Sequence, residues 1–545
     1  MHNFVIRRVA ATLIAMLMMT LAACGGVKAV GGTTAGDAIA IGTTDKVNML
    51  DPAGTYEMGS FAVFVQIYPF LYSQNYGSAD MSPDIAADNG TWSKDGTEFT
   101  AKLKGGLRFA NGHDLTASDV KFSFDRMKRI DSANGPLPLL ANIESVAAPD
   151  PTTVVFRDSV RNDVTLKQVL GSPAGPIVDE QSFDADRLTQ DAAIVNADAF
   201  AGPYRLSAFK LNDSATYERN PAYRGLAQAR NDIVQVKYFA DSANLKLAVQ
   251  QGQVDVAYRT LTPTDIEDLR GGAGNVRVVA GPGGEERYLV FNMRLMPYGS
   301  SRADADPAKA LAVRKAMADL VDRPALARDV YKGTYEPLYS FIPNGLAGHE
   351  DTLKTAYGDG RGGPSLSKAG KTLHEAGVKT PVRLAIQYNT DHYGPTSADE
   401  YAAVKAQLEN GGLFFVDLQQ TEWTQYTKDR VVTGTSDGNY PVYQLGWLPD
   451  YSDPDNYLSP FFRDDNYPAN GYRNERINEL LIRQAGEQDR RRRAELLGQV
   501  QELETADLST LPLLQGSQVA VVGRNVHGVT LDASFRFRYA PITKD

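Results

Sequence analysis

The sequence predicts a mixed α/β protein, and three patterns carry that expectation. Residues 97–104 alternate, with Phe99, Ala101 and Leu103 on one face and polar side chains on the other, the period of a half-buried strand. Residues 309–320 place Leu311, Val313, Ala316, Met317 and Leu320 at helical spacing. Strand-like and helix-like runs then alternate along the body without a strict strand–helix–strand period, without an internal repeat and without a long linker. Interwoven lobes are expected rather than domains strung in a line.

The elements follow in chain order. After the strand at 97–104, Gly105-Gly106 and Asn111-Gly112 read as turns. Thr116 is a good N-cap for a helix carrying Val120, Phe122 and Phe124, and Asp119 lies in its first turn, where a carboxylate meets the helix dipole. Residues 154–156 and 234–239 read as strands, 244–251 as a helix and 252–257 as a return to strand. A short helix at 264–269 starts behind Thr262-Pro263. Residues 288–293 are apolar and strand-like. Residues 381–388 form a strand, 400–409 a helix, 413–418 a strand, and 473–504 are mostly helical.

Composition narrows the function. The chain has 545 residues, 43% hydrophobic and 22% charged, which excludes a wholly disordered protein. Its net charge is −10, so no basic surplus exists to neutralise a nucleic-acid backbone. A single cysteine rules out an intramolecular disulfide and a cysteine zinc cluster. The six histidines, at 2, 113, 349, 374, 392 and 527, form no local ligand pair, so neither metal nor cofactor is expected.

The N-terminus reads as an export signal. Arg7 and Arg8 precede a 13-residue apolar run, 9–21, followed by Leu21-Ala22-Ala23-Cys24. That run is shorter than the roughly 20 residues a membrane-spanning helix needs. The Leu-Ala-Ala-Cys site resembles the lipobox of bacterial lipoproteins, which implies cleavage before Cys24 and a lipid on its sulfur. Several acyl chains hold a protein at a membrane where one would be marginal. Loss of Arg7 and Arg8 with the leader takes the formal charge to −12, and residues 25–36, rich in Gly, Thr and Ala, form a flexible tether.

Several motifs fail on context. Gly358-Asp-Gly360-Arg-Gly-Gly363 fits a dinucleotide fingerprint, but poor strand material precedes it and Pro364 follows, so it reads as a loop. Ala369-Gly370-Lys371-Thr372 resembles the end of a phosphate loop, yet position 365 is Ser365 and the segment sits inside a predicted helix. No G-x-S-x-G elbow is present, and no catalytic residue is assigned. The four arginines 490–493 lie among Glu487, Asp489 and Glu495 and read as a solvated helix face.

Residues 440–472 are the informative stretch. Nine of these 33 residues are aromatic, about three times the chain average, and five are aspartates against one basic residue, Arg463. Phe461 and Phe462 read as core. Asp450, between Trp447 and Tyr451, does not, because a carboxylate among aromatics is costly to bury unless a cation or donors meet it. An exchangeable ammonium group would satisfy it, with cation–π contact from Trp447.

Here the chain resembles the dipeptide/oligopeptide-binding family of ABC-transporter solute-binding proteins (extracellular family 5). The resemblance rests on Phe99-Thr-Ala-Lys-Leu-Lys104, Phe109-Ala-Asn-Gly112 and Leu115-Thr-Ala-Ser-Asp-Val120, on residues 243–257, on Phe291-Asn292, Val313-Arg-Lys-Ala316, Asp322-Arg323 and Ile342-Pro343, and on Gly446-Trp447-x-x-Asp450. It implies a two-lobed periplasmic-binding-protein-like (type II) α/β fold, with an extra subdomain in the first lobe and two crossover strands, near 288–291 and 513–519, as hinge. The implied division is 1–23 signal peptide; 24–36 tether; 37–58, 200–290 and 516–545 first-lobe core; 59–199 extra subdomain; and 291–515 second lobe.

The resemblance makes Asp450 the anchor for a peptide α-amino group and Trp447 a pocket wall. Tyr451, Tyr56, Tyr388 and Asn292 are further candidate ligand residues. The family's carboxylate-binding residue varies in position, leaving Arg287, Arg383 and Arg430 as candidates. The implied partners are a peptide, the permease and ATPase subunits of an importer, and a membrane reached through the lipid on Cys24. The protein is expected to act as a monomer, without nucleic acid. An oligosaccharide or a metallophore is the alternative cargo on the same fold.

Overall fold

A computed structural model describes residues 38–259, 261–272, 275–532 and 536–545. The leader, the tether and Cys24 lie outside the described residues. Among the described residues, no helix is long and apolar enough to cross a membrane.

An eleven-stranded sheet organises the molecule. From one edge its path runs through Phe414–Gln420, Val382–Tyr388, Val442–Trp447, Val276–Phe291, Thr510–Gly523, Val256–Tyr258, Ile39–Thr43, Ile233–Tyr238, Ser214–Arg219 and Tyr204–Lys210, with Tyr335–Pro337 added beside Thr510–Gly523. The two long antiparallel strands, Val276–Phe291 and Thr510–Gly523, occupy the middle and belong to both halves. Their outer segments pair Val276 with Gly523 through Gly281 with Gln518, and their inner segments pair Glu285 with Gly516 through Val290 with Thr510.

The register shifts between Gly281 and Glu285, at Gly281-Pro282-Gly283-Gly284. The backbones approach so closely there that a Cβ on Gly283 would sit 1.8 Å from the Gly516 carbonyl oxygen. Only glycine fits, and the ladder loses its hydrogen bonds where a two-lobed molecule has to bend.

Buried side chains form separate apolar cores on either side of this break. One contains Phe291, Val313, Met317, Tyr401, Leu445, Tyr457 and Leu480. A second contains Ile39, Ile41, Phe64, Tyr204, Tyr217, Val234 and Val522. A third, built on the small sheet of Thr91–Trp92, Glu98–Lys102, Thr153–Asp158 and Ile143–Asp150, contains Phe99, Val120, Phe124 and Phe156. Phe61 to Phe70 and Val178 to Phe200 pack in the second core, because the helix Met58–Ile67 lies against the Tyr204–Lys210 edge of the large sheet.

Local signals set most elements. Thr116 and Asp119 form a reciprocal capping box at the start of Ala117–Ile130. Thr262 and Asp265 do the same for Pro263–Arg270, whose first residue is the proline expected there. Gly358, Gly360 and Gly362 all adopt positive φ in a loop, and Gly370 lies within the helix Leu366–Glu375, so neither glycine motif has nucleotide-binding geometry. The arginine run departs from expectation at one position. Arg490, Arg491 and Arg492 are exposed, but Arg493 turns inward and grips Asp453 with both terminal nitrogens, at 2.9 and 2.5 Å.

Candidate functional site

A cleft of about 1200 Å³ opens beside the two long strands. Its walls come from loops at the carboxyl ends of parallel strands. On one side, Ile39–Thr43 runs parallel to Ile233–Tyr238 and Val256–Tyr258, and the segments that follow them supply Asp45, Asp241 and Arg259. On the other, Val382–Tyr388 runs parallel to Val442–Trp447, and the segments that follow supply His392, Tyr393 and Asp450. Crevices outside such strand ends are where open α/β sheets place ligands. The long strand Val276–Phe291 adds Glu285 and Arg287, while the intervening Glu286 points away and is fully buried. That is the two-residue alternation of a strand.

Asp450 and Trp447 meet in this cleft as a supported pair. Asn456, itself 2% exposed, receives hydrogen bonds on Oδ1 from the Trp447 indole N–H (3.2 Å) and the Asp450 backbone N–H (2.9 Å). Its amide donates to Asp450 Oδ2 at 2.9 Å. Trp447 is wedged edge-on against Phe461, with centroids 5.3 Å apart, and against Tyr467 at 5.6 Å. Burial pushes the Asp450 carboxyl up to about pKa 6, opposed only by the Asn456 bond. No lysine or arginine among the described residues pairs with it. The carboxylate lines the cleft with a donor on one oxygen and no countercharge, an arrangement that favours a cationic ligand group.

The other candidates separate. Tyr56, 39% exposed, lines the cleft. Arg287 also lines it, but its guanidinium is already engaged. Its Nη1 meets Glu400 Oε2 at 3.0 Å, its Nη2 donates to the Tyr393 carbonyl at 2.8 Å, and its guanidinium carbon lies 5.2 and 5.3 Å from the ring centroids of Tyr331 and Tyr335, which pack on each other. A cation locked to a fully buried carboxylate is a structural member of the wall. Arg383 sits outside the cleft over the exposed Phe415 ring. Arg430 is buried and donates to the Tyr467 and Pro468 carbonyls.

Three of the tyrosine and asparagine candidates lie elsewhere, and none of these side chains is among those lining the cleft. Asn292 is fully buried, donating to the Asp437 carbonyl at 2.7 Å and accepting from the Arg294 N–H at 2.9 Å, so it shapes a loop. Tyr388 stacks on Tyr401, with centroids 5.9 Å apart, and donates to Gln420. Tyr451 packs against the third core, that of the small sheet. Hydrogen bonds reinforce that second contact between parts of the molecule. Gln168 donates to the Ser452 carbonyl at 3.3 Å, Val164 N–H to the Ala485 carbonyl at 3.0 Å, and Gln488 to the Asn162 carbonyl at 2.6 Å.

Sequence reasoning passed over Arg259, Asp45, Glu285 and His392, all of which line the cleft. Arg259 carried a usable signal, since it lies two residues past the strand expected at 252–257. Among the described residues, no group of three or more His, Cys, Asp or Glu side chains could hold a metal ion.

Comparison with known proteins agrees with this architecture. The dipeptide-binding protein DppE of Bacillus subtilis is 25% identical over 474 residues, spanning 83% of this chain and 82% of that protein. The solute-binding protein CtaP of Listeria monocytogenes superimposes with a TM-score of 0.77 at 20% identity, covering 93% of this chain and 99% of that one. DppA of Helicobacter pylori, solved in complex with the peptide STSA, superimposes with a TM-score of 0.72 at 20% identity, covering 93% and 98%. The fold is thus the expected type II two-lobed one. Residues 80–469 match the family described as bacterial extracellular solute-binding proteins, family 5 Middle, and the chain belongs to that family.

Proposed function

We propose that this protein captures short peptides in the cleft and hands them to the membrane subunits of an ABC importer. It binds and releases its ligand without bond chemistry. Asp450 receives the peptide α-ammonium group and Trp447 forms the wall beside it. The observation that carries this reading is the Asp450 carboxylate, held by Asn456 and facing the cleft with no cation paired to it among the described residues. A peptide relative, DppE, and a peptide-bound structural neighbour, DppA, support the cargo class. Contacts to both sides of the break at 281–284 would favour the closed arrangement, so closure follows from differential affinity.

Export and attachment through a lipid on Cys24 complete the proposal and would keep a monomeric receptor beside its transporter. Loss of radiolabelled palmitate from Cys24→Ala is the expected result there, and retained label refutes it. For the cargo, mass spectrometry of ligand co-purified with the full chain should find peptides. Calorimetry should then show that N-acetylation of such a peptide weakens binding about tenfold or more, the range for losing a charge-assisted bond. Sugars or metal chelates in place of peptides, or equal affinity for acetylated and free forms, would overturn the assignment.

A further inference from the structure

The two halves of the molecule meet a second time, away from the cleft. The chain itself passes between them along Val276–Phe291 and Thr510–Gly523. Residues 161–168, beside the small sheet, touch 451–453 and 484–488 of the other half through noncovalent contacts alone. None of these residues lines the cleft.

The contact is close and reciprocal. Tyr451 packs on the small-sheet core, and Ala79 packs on the core that contains Tyr457 and Leu480. Gln168, 8% exposed, ties the two insertions together. Its side-chain amide donates to the Ala79 carbonyl at 3.0 Å and to the Ser452 carbonyl at 3.3 Å. The backbones come so near that a Cβ on Gly486 would sit 2.8 Å from the Arg161 carbonyl oxygen. Behind the contact, Arg493 joins Asp453 to Gln484, whose Oε1 accepts from its Nε at 3.0 Å. Four consecutive residues thus run from the cleft into this contact. Asp450 presents its carboxylate to the cleft, Tyr451 enters the small-sheet core, the Ser452 carbonyl meets Gln168, and Asp453 is held by Arg493.

We infer that this contact is a clasp that forms as the cleft closes, and that it sets the affinity for every cleft ligand by stabilising the closed arrangement without touching the ligand. The inference rests on the reading of the cleft as a site that closes on peptides. Bending at 281–284 releases the clasp without opposing any chain connection. Apparent affinity scales with the fraction of molecules in the binding-competent state, so each bond in the clasp multiplies affinity by a factor common to all ligands. Gln168 and Tyr451 are positioning residues in this scheme. They act through closure, and through the Asp450 segment that closure carries.

The test uses alanine peptides of two to five residues, as free acids and as N-acetyl acids, with the full chain. In the wild type, the best-binding alanine peptide should slow amide hydrogen exchange in 161–168 and 484–488 about tenfold, although neither segment lines the cleft. Gly486→Ala inserts a methyl group against the Arg161 carbonyl, and the φ of −105° at Gly486 is one that alanine adopts, so the wedge acts across the contact. Gln168→Ala removes the shared amide. Each variant should weaken all binding peptides by one common factor, about two- to tenfold for Gln168→Ala, with faster release. Exchange that is equally slow with and without peptide would make the contact permanent and overturn the clasp. Wild-type affinity in both variants, or losses that differ between free and acetylated peptides, would also overturn it, while the peptide reading would stand on the binding itself. If no alanine peptide binds, both fall.

Discussion

Replacing Asp450 by asparagine tests the physics of the site in two ways at once. The Asp450 carboxyl has a folded-state pKa of about 6, raised by burial above a usual value near 3.9. The folded protein therefore holds this proton over a range in which the unfolded chain has lost it. The group's contribution to stability is greatest below about pH 4 and is lost as pH rises to 6. About two pKa units at 1.36 kcal/mol each set an upper limit of roughly 3 kcal/mol for that loss, reduced by the part of the carboxylate that water reaches. Asparagine carries no charge to desolvate. Denaturant titration should find Asp450→Asn more stable than wild type at pH 8, by up to ~3 kcal/mol, with the gain gone at pH 4. Binding should move the other way. A peptide ammonium beside the carboxylate pulls its pKa down, so wild-type affinity should fall up to tenfold per pH unit below about 6, with protons released on binding in that range. Calorimetry in buffers of different ionisation enthalpy reads the release. The variant should bind about 10- to 150-fold more weakly at pH 7, a loss of ~1.5–3 kcal/mol, with a flat profile between pH 4.5 and 7. Wild-type affinity in the variant, or an unchanged pH slope, would refute the argument.

Other expectations follow from the same geometry. Trp447→Ala should weaken binding and reduce the ligand-induced change in tryptophan fluorescence, with Trp423, stacked on the cleft residue His392, as the remaining reporter; unweakened binding would place the ligand elsewhere. Asn456→Ala removes the donor to Asp450 and should shift the acidic edge of the binding profile to higher pH, at a cost of about 1 kcal/mol in affinity; an unmoved edge in calorimetric titrations would show that Asn456 does not orient the carboxylate. Glu400→Gln breaks the pair with Arg287 inside the wall and should destabilise the protein by about 3–5 kcal/mol in urea unfolding, and wild-type stability would mean Arg287 is not locked in place. Gly283→Ala puts a methyl group into the Gly516 carbonyl and should lower the melting temperature, so an unchanged melt would contradict the close approach at the strand break.

The arginines show where reading the sequence stops. Alternation along Glu285-Glu286-Arg287 states that Glu285 and Arg287 share a face. It does not state what waits on that face, and the partner that neutralises Arg287, Glu400, is 113 residues away. Tyr451 and Asn292 have the same explanation. Each carries the residue type of a binding site, and each is absorbed by a neighbour contributed from a distant part of the chain: the small-sheet core for Tyr451, the Asp437 carbonyl for Asn292.

What the sequence by itself determined is what short-range physics controls: the helix caps at Thr116 and Thr262, the strand and helix periods, the loop character of 358–363, and the close spacing of Trp447 and Asp450 on one strand end. Those depend on hydrogen bonds and burial patterns within a few residues. Only the tertiary structure decided which charged side chains were spent on one another and which were left facing the cleft, because pairing of buried charges is set by contacts between segments that no local pattern links.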